Sequence, residues 1–348
     1  MRNSFNTAGF SEVVHETRED PSEAWYRYRG KARHCPRRGL SASNGPALLG
    51  TVKSSRKFSL ELNDDAWRDD DALPATDAPA PLDLALTGVG ACSLKTMVGG
   101  GSAQGVVFDT VEMFIEHGAG EGGGVDCRFE VGGEGMDELI AQLLDKVQKS
   151  SPNHKTLTAR IPLELTFADG SGGTARQRFA GADPVARLGA PTARRVRWIS
   201  SVQLESQSAD GAGRTLRVDS PKQLTGVDWG PNPQEYLLMG LASDIAAHLG
   251  QLSRKRLGRQ PEWEVVADGR VDIRGLLQAD PAAIVHLQEV RCAISASGVV
   301  APQLWEIARE AVARSEVRSL ICDRQRVGVT LKPPVYRAPR WQRGRSAS

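Results

Sequence analysis

The chain has 348 residues, a length that at roughly 100–200 residues per domain favours two domains, or one domain with large extensions. Lys+Arg 44 against Asp+Glu 42 leaves a formal charge of +2, so no global field draws the protein to nucleic acid or to an anionic membrane. With 40% hydrophobic and 25% charged residues and 36 glycines, the composition is that of a soluble, loop-rich globular protein and excludes a wholly disordered chain.

Residues 1–24 mix charges with short apolar pairs and carry no continuous apolar core of the kind a secretory signal needs; they are expected to be a flexible end of a cytoplasmic protein. No run approaches the roughly 18–20 apolar residues that span a bilayer, so no membrane partner is expected. In ATDAPAPLDLALTGVGACSLKTMV a Pro- and Asp-rich approach leads into a helix opened by proline, and the triple glycine Gly99–Gly101 is expected to end it near Val98. Leu139, Ile140, Leu143, Leu144 and Val147 then form one apolar face of a helix over Met136–Ser150, and Ala159–Phe167 reads as a half-buried strand. Ala168–Gly189 has no sustained periodicity and reads as a linker or a long surface loop, with a boundary near residues 180–192.

Two hairpin-like strands follow, Arg195–Gln207 and Arg214–Asp219, and then a second segment with the layout of the first, TGVDWGPNPQEYLLMGLASDIAAHLGQL. It too is followed by an amphipathic helix, Pro302–Ala313, and a closing strand, Gln325–Leu331. Aligning Pro81 with Pro233 sets Asp83 on Glu235, Gly88 on Gly240 and Cys92 on Asp244, as distant copies would. The basic, proline-interrupted tail Ala338–Ser348 reads as a solvated end.

Five cysteines at irregular spacings, with no C-x-x-C, argue against a disulfide framework or a zinc ribbon. H-x-x-x-H, G-x-S-x-G and the phosphate-loop spacing are also missing, so no metal and no cofactor is expected.

The segments GPNPQEYLLMGLASDIAAHL and PLDLALTGVGACSLKTM, with the step SSPNHKTL at Ser150–Leu157, resemble the OsmC/Ohr family. The resemblance covers about residues 50–167 and 192–332. It implies an α+β fold: two OsmC-like domains, residues 25–180 and 190–336, fused as an intramolecular pseudo-dimer with the central helices packed at the interface, the ends 1–24 and 337–348 lying outside. Family members are homodimers of single domains, so the expected assembly is a monomeric pseudo-dimer or a homodimer of it.

The best-known members are thiol peroxidases, and the resemblance places their reactive cysteine at Cys92 and their resolving cysteine at Ser151, where no thiol stands. In the second copy the reactive position is Asp244 and the resolving position Arg314 or Ser315. The glutamate that orients the family's arginine maps to Glu235, with Asp83 as its counterpart. Arg197 is the second-copy candidate for the arginine, and Arg27, Arg29 and Arg33 are the first-copy ones. This implies a one-cysteine reduction of organic hydroperoxides at the expense of an external thiol.

A cysteine acts as the thiolate, and Cys92 lies about three turns into its helix, too deep for the helix dipole, so a cation from elsewhere must supply the activation. The bland reading is that Cys92 fills a small gap where two helices cross. Cys35, flanked by Arg33, His34, Arg37 and Arg38, is the rival thiol. Asp244 within an apolar helix either pairs with a cation such as His248 or projects into a site shared with Cys92 as an acid or base. His154, three residues after Ser151, is a candidate base. The alternatives are hydrolysis or sulfur transfer through Cys92 and Asp244, or a non-catalytic protein that binds a small ligand.

Overall fold

The computed structural model describes residues 3–63, 77–118, 123–133, 137–168, 173–182, 191–258, 260–298 and 303–332. The expected tail Ala338–Ser348 and half of the Ala168–Gly189 segment lie outside them.

The fold is α+β, with two mixed sheets around a pair of long helices. The helices are α1 (Thr7–Glu19), α2 (Pro81–Ala103), α3 (Asp137–Ser150), α4 (Pro152–Thr158), α5 (Pro233–Leu257), α6 (Ile273–Leu277), α7 (Leu304–Arg314) and α8 (Glu316–Cys322). In the first sheet β1 (Trp25–Cys35) alternates Tyr26, Tyr28, Ala32 and His34 inward with Arg29 and Arg33 outward, as a half-buried strand should. On one side it carries β2 (Gly39–Asn44), β3 (Ala47–Leu49), β4 (Val52–Ser54) and β5 (Ser59–Leu62). On the other side the sheet continues through β13 (Glu262–Asp272), β14 (Gln288–Ser297), β8 (Leu163–Ala168) and β9 (Thr174–Phe179). The second sheet runs β12 (Leu216–Val218), β11 (Gln203–Ser208), β10 (Thr192–Ser200), β6 (Phe108–His117), β7 (Val125–Gly133), β15 (Val327–Lys332).

Both sheets follow one pattern. An antiparallel partner from the far part of the chain lies beside β1 or β10, its hairpin mate follows, and a parallel strand comes next: β13, β14 and β8 in one sheet, β6, β7 and β15 in the other.

Helix α5 lies on β1, β2 and β13, and α2 on β6 and β10, so the helix pair fills the space between the sheets. That double contact explains why both helices are apolar on almost every side, with Leu82 to Leu94 and Tyr236 to Ala246 buried nearly throughout. The two run antiparallel. A side chain at Gly88 would sit 2.5 Å from the Pro233 carbonyl oxygen and 2.9 Å from the Leu237 nitrogen, and one at Gly240 would sit 2.9 Å from the Ala85 nitrogen. The paired glycines are therefore what lets the backbones meet.

Several expected boundaries move. Gly99–Gly101 do not end α2, which continues to Ala103; the ring of Phe108 lies against Gly101 and that of Phe5 against Gly99, so these glycines serve close approach. The expected strand Arg195–Gln207 is a hairpin, β10 and β11, turned at Ser201 with φ 50°. Strand β8 starts only at Leu163: Ala159 caps the end of α4, and the Ile161 N–H donates to the Cys322 carbonyl at 2.9 Å instead of to a strand neighbour. Strand β9 lies within the expected linker. The expected flexible end holds α1, capped by Asn6, whose side chain accepts from the Gly9 N–H at 3.0 Å. No helix among the described residues is long and apolar enough to cross a membrane.

Candidate active site

Cys92 is buried on α2 at the end of the helix pair where α5 begins. Two donors reach its sulfur, each at 3.5 Å: the backbone N–H of Asn153 in the first turn of α4, and Nε2 of Gln234 in the first turn of α5. Asn153 also locks the three helices together, its Nδ2 donating to the Gly88 carbonyl at 2.8 Å and the Pro233 carbonyl at 3.1 Å. Ser151, at the expected resolving position, caps the approach to α4; its Oγ favours the thiolate and otherwise has no hydrogen-bond partner.

Burial pushes the Cys92 thiol above its ordinary value, while Ser151, the Asn153 N–H, Lys95 and Gln234 pull it down. At rest the sulfur is held protonated, in a setting whose donors favour the anion once charge develops. Lys95, one turn beyond Cys92 on α2, donates to the Ser220 hydroxyl at 2.9 Å. Burial brings this ammonium down to about 7, against the opposing pull of Asp219, Cys92 and Glu235.

Cys92, Lys95, Ser220 and Gln234 line one cavity of about 820 Å³. Its opposite wall is α1 with Phe5 and Phe10, whose rings stack 4.7 Å apart, joined by Leu224, Leu276 and Leu277. An apolar wall facing a few convergent polar groups is the usual form of a small-molecule site.

Glu235, adjacent to Gln234, closes the capping box of α5 by accepting from the Asn232 N–H at 2.7 Å. It also accepts from Asn44 Nδ2 at 3.0 Å and from Arg56 Nη2 at 2.8 Å, with almost no exposure of either charged side chain. Arg56, not Arg197, is thus the arginine of Glu235. Arg197 pairs with Glu205 on the outer face of the second sheet, at 3.0 Å. Strand alternation carried the signal: Arg194 shares the buried face of Val196, two residues on, whereas Arg197 is on the other face. Arg194 accordingly turns inward and meets Asp83, Nη1 to Oδ1 3.6 Å. Arg27 and Arg33 are spent on Asp268, Glu289 and Glu264 along β1, β13 and β14.

Asp244 does not share the pocket of Cys92. It lies ten residues beyond Gln234 on α5, about 15 Å along the helix. There its Oδ2 accepts from the Ser315 hydroxyl at 2.6 Å and the Val317 N–H at 3.0 Å, with His248 3.9 Å away. The geometry copies that of Cys92, since in both places a serine and the N–H two residues after it meet the same helical position. Of Arg314 and Ser315, it is Ser315 that meets Asp244, whose carboxylate accepts at the start of α8.

His154 is buried on α4, its Nδ1 without a partner, and burial with the nearby Lys155 lowers it to about 4. It is neutral at pH 7 and does not line the cavity. Cys35 donates to Glu262 at 3.5 Å at the end of β1, away from the cavity. Lys95 and Arg56 escaped sequence reasoning. A single lysine inside the apolar run GVGACSLKTMV was the visible exception; Arg56 lies in a short irregular stretch with no periodicity to orient it.

Residues 74–166 match the family model described as OsmC-like protein, a stretch that carries Cys92, Lys95, Ser151 and His154. No curated protein matches the chain.

Proposed function

We propose, from the match of residues 74–166 to the OsmC-like family model, that the protein is a cysteine-dependent oxidoreductase that reduces organic hydroperoxides at Cys92 with an external thiol as reductant. The observation that carries the reading is the Cys92 sulfur, lining a cavity with one apolar wall, with Gln234 and the Asn153 N–H donating to it and the charge of Lys95 favouring its anion. In the reaction the sulfur attacks one peroxide oxygen, the O–O bond breaks, and the departing alkoxide takes a proton to become the alcohol. Cys92 is left as the sulfenic acid. With serine at position 151, one molecule of external thiol condenses with it, releasing water and forming a mixed disulfide, and a second thiol frees Cys92 as the disulfide of the reductant departs.

We further propose that residues 25–180 and 190–336 are two OsmC-like domains fused as a pseudo-dimer in a cytoplasmic chain. The matching strand pattern of the two sheets, the crossed pairs Arg56–Glu235 and Arg194–Asp83, and the matching surroundings of Cys92 and Asp244 support this. The second copy has lost its thiol and uses the position for a helix cap.

One observation favours a second reading, a protein that only binds a small ligand: burial holds the resting thiol protonated. Steady-state consumption of cumene hydroperoxide with excess dithiol decides between them. Turnover lost in Cys92→Ser supports the peroxidase; no turnover by the wild type, with a stoichiometric apolar ligand in the cavity, supports the second reading.

A further inference from the structure

The cavity holds a second group whose chemistry the thiol reaction does not use up. Lys95 is fixed on α2, retains some accessible surface, and lines the cavity beside Cys92. Its hydrogen bond goes to the neutral hydroxyl of Ser220, not to a carboxylate. Asp219, the nearest acid to influence it, already accepts from the N–H groups of Ser220, Val227 and Trp229. Among the described residues no acidic side chain lines the cavity, whereas His15, Arg18 and Lys146 do, so this lining offers the ammonium no counter-charge. Apolar walls disfavour the ion further. These are the conditions under which a lysine serves as a nucleophile toward carbonyl carbon.

We propose that Lys95 is a reactive amine that condenses with an aliphatic aldehyde or ketone whose chain lies against Phe5, Phe10, Leu224, Leu276 and Leu277. The nitrogen lone pair attacks the carbonyl carbon, the carbonyl oxygen takes a proton, and loss of water from the carbinolamine leaves the imine; no oxidant or reductant enters. The Ser220 hydroxyl, 2.9 Å from Nζ, stands where it can pass the proton from nitrogen to oxygen. Charge on Lys95 is favoured by Asp219, Cys92 and Glu235 and opposed by Arg56 and by burial, which together leave it at about 7. At pH 7.5 that gives on the order of several hundred times more free amine than a surface lysine near 10.4 holds. This chemistry is independent of whether Cys92 reduces peroxides.

The test is reductive trapping. The full chain is incubated at pH 7.5 with low octanal and cyanoborohydride, and the rate of alkylation at each lysine is read by peptide mass mapping. Lys95 is expected to be alkylated at least about tenfold faster than the exposed Lys53 or Lys149. The preference persists in Cys92→Ser and weakens as pH falls below 7. Lys95→Arg loses the fast adduct, and because rates are resolved by site in the wild type, the result does not hang on that variant folding. Alkylation of Lys95 no faster than that of surface lysines overturns the proposal. So does octanoate binding in the cavity with no imine trapped from octanal.

Discussion

Glu235 and Asp83 occupy matching positions, three residues into α5 and α2, yet removing them is expected to cost very different amounts. Glu235 is almost wholly buried and accepts from Arg56 at 2.8 Å, Asn44 at 3.0 Å and the Asn232 N–H at 2.7 Å. Glu235→Ala leaves Arg56 buried with the Gly230 carbonyl and Asp228, both at 3.4 Å, as its remaining polar partners, and takes one of two acceptors from Asn44 Nδ2, which keeps the Arg56 carbonyl at 3.2 Å. Breaking a buried pair from one side costs about 3–5 kcal/mol; the residual contact with Asp228 argues for the lower end. Asp83 is more exposed, accepts from the Ala80 N–H at 2.9 Å, and stands 3.6 Å from Arg194, which keeps Ser206 as a second partner at 3.2 Å. Asp83→Ala is therefore expected to cost about 1–2 kcal/mol, mostly as a lost helix-start bond, because the pair with Arg194 at 3.6 Å makes no hydrogen bond. Urea unfolding at pH 7 reads both, with an unchanged slope showing that the same structure unfolds. The two variants losing the same stability, or Glu235→Ala losing less than about 1 kcal/mol, would refute the claim that the pair with the fully buried, hydrogen-bonded carboxylate is the stronger one.

Further outcomes follow from other groups. His154 falls to about 4 in the folded chain from about 6.5 unfolded, so the unfolded state binds its proton first. Its share of stability is intact above pH 6.5 and about 3 kcal/mol is lost as pH falls to 4; His154→Gln should flatten that part of the pH–stability curve, and an unchanged slope would count against a neutral buried imidazole. Gly88→Ala drives a Cβ to 2.5 Å from the Pro233 carbonyl, where backbone has to move; a loss of about 3 kcal/mol is expected in thermal or urea unfolding, and a neutral result would mean the helices do not cross there. Asp244→Ala removes bonds from Ser315 and Val317, with an expected cost of about 1.5–3 kcal/mol in urea, while the rate of Cys92 alkylation stays the same; a large change in that rate would place Asp244 back in the thiol site.

The central helices were legible because proline starts, small residues and all-round apolarity survive in a single sequence. The same reading failed at Gly99–Gly101, since a glycine that ends a helix and one that admits a distant Phe108 ring look alike until the ring is in place. Helix α1 was hidden by its charges, although Asn6, Phe10, Val13 and Thr17 follow a helical spacing. Cys92 and Ser151 were found through the resemblance. Gln234, Asn153 and Ser220 were not, because their roles exist only where three separate segments converge. Asp244 misled for a physical reason: a carboxylate in an apolar helix signals function in sequence, but the start of α8 satisfies it locally.

The reactivity of Cys92 itself admits the most direct measurement: a single turnover without reductant, in which the reduced protein is mixed with cumene hydroperoxide, the alcohol is quantified and the Cys92 peptide is weighed. A peroxidase acting through Cys92 forms about one alcohol per chain and gains one oxygen at Cys92, both lost in Cys92→Ser. Alcohol formed equally by Cys92→Ser, or a wild-type Cys92 left unoxidised with the peroxide intact, would contradict it.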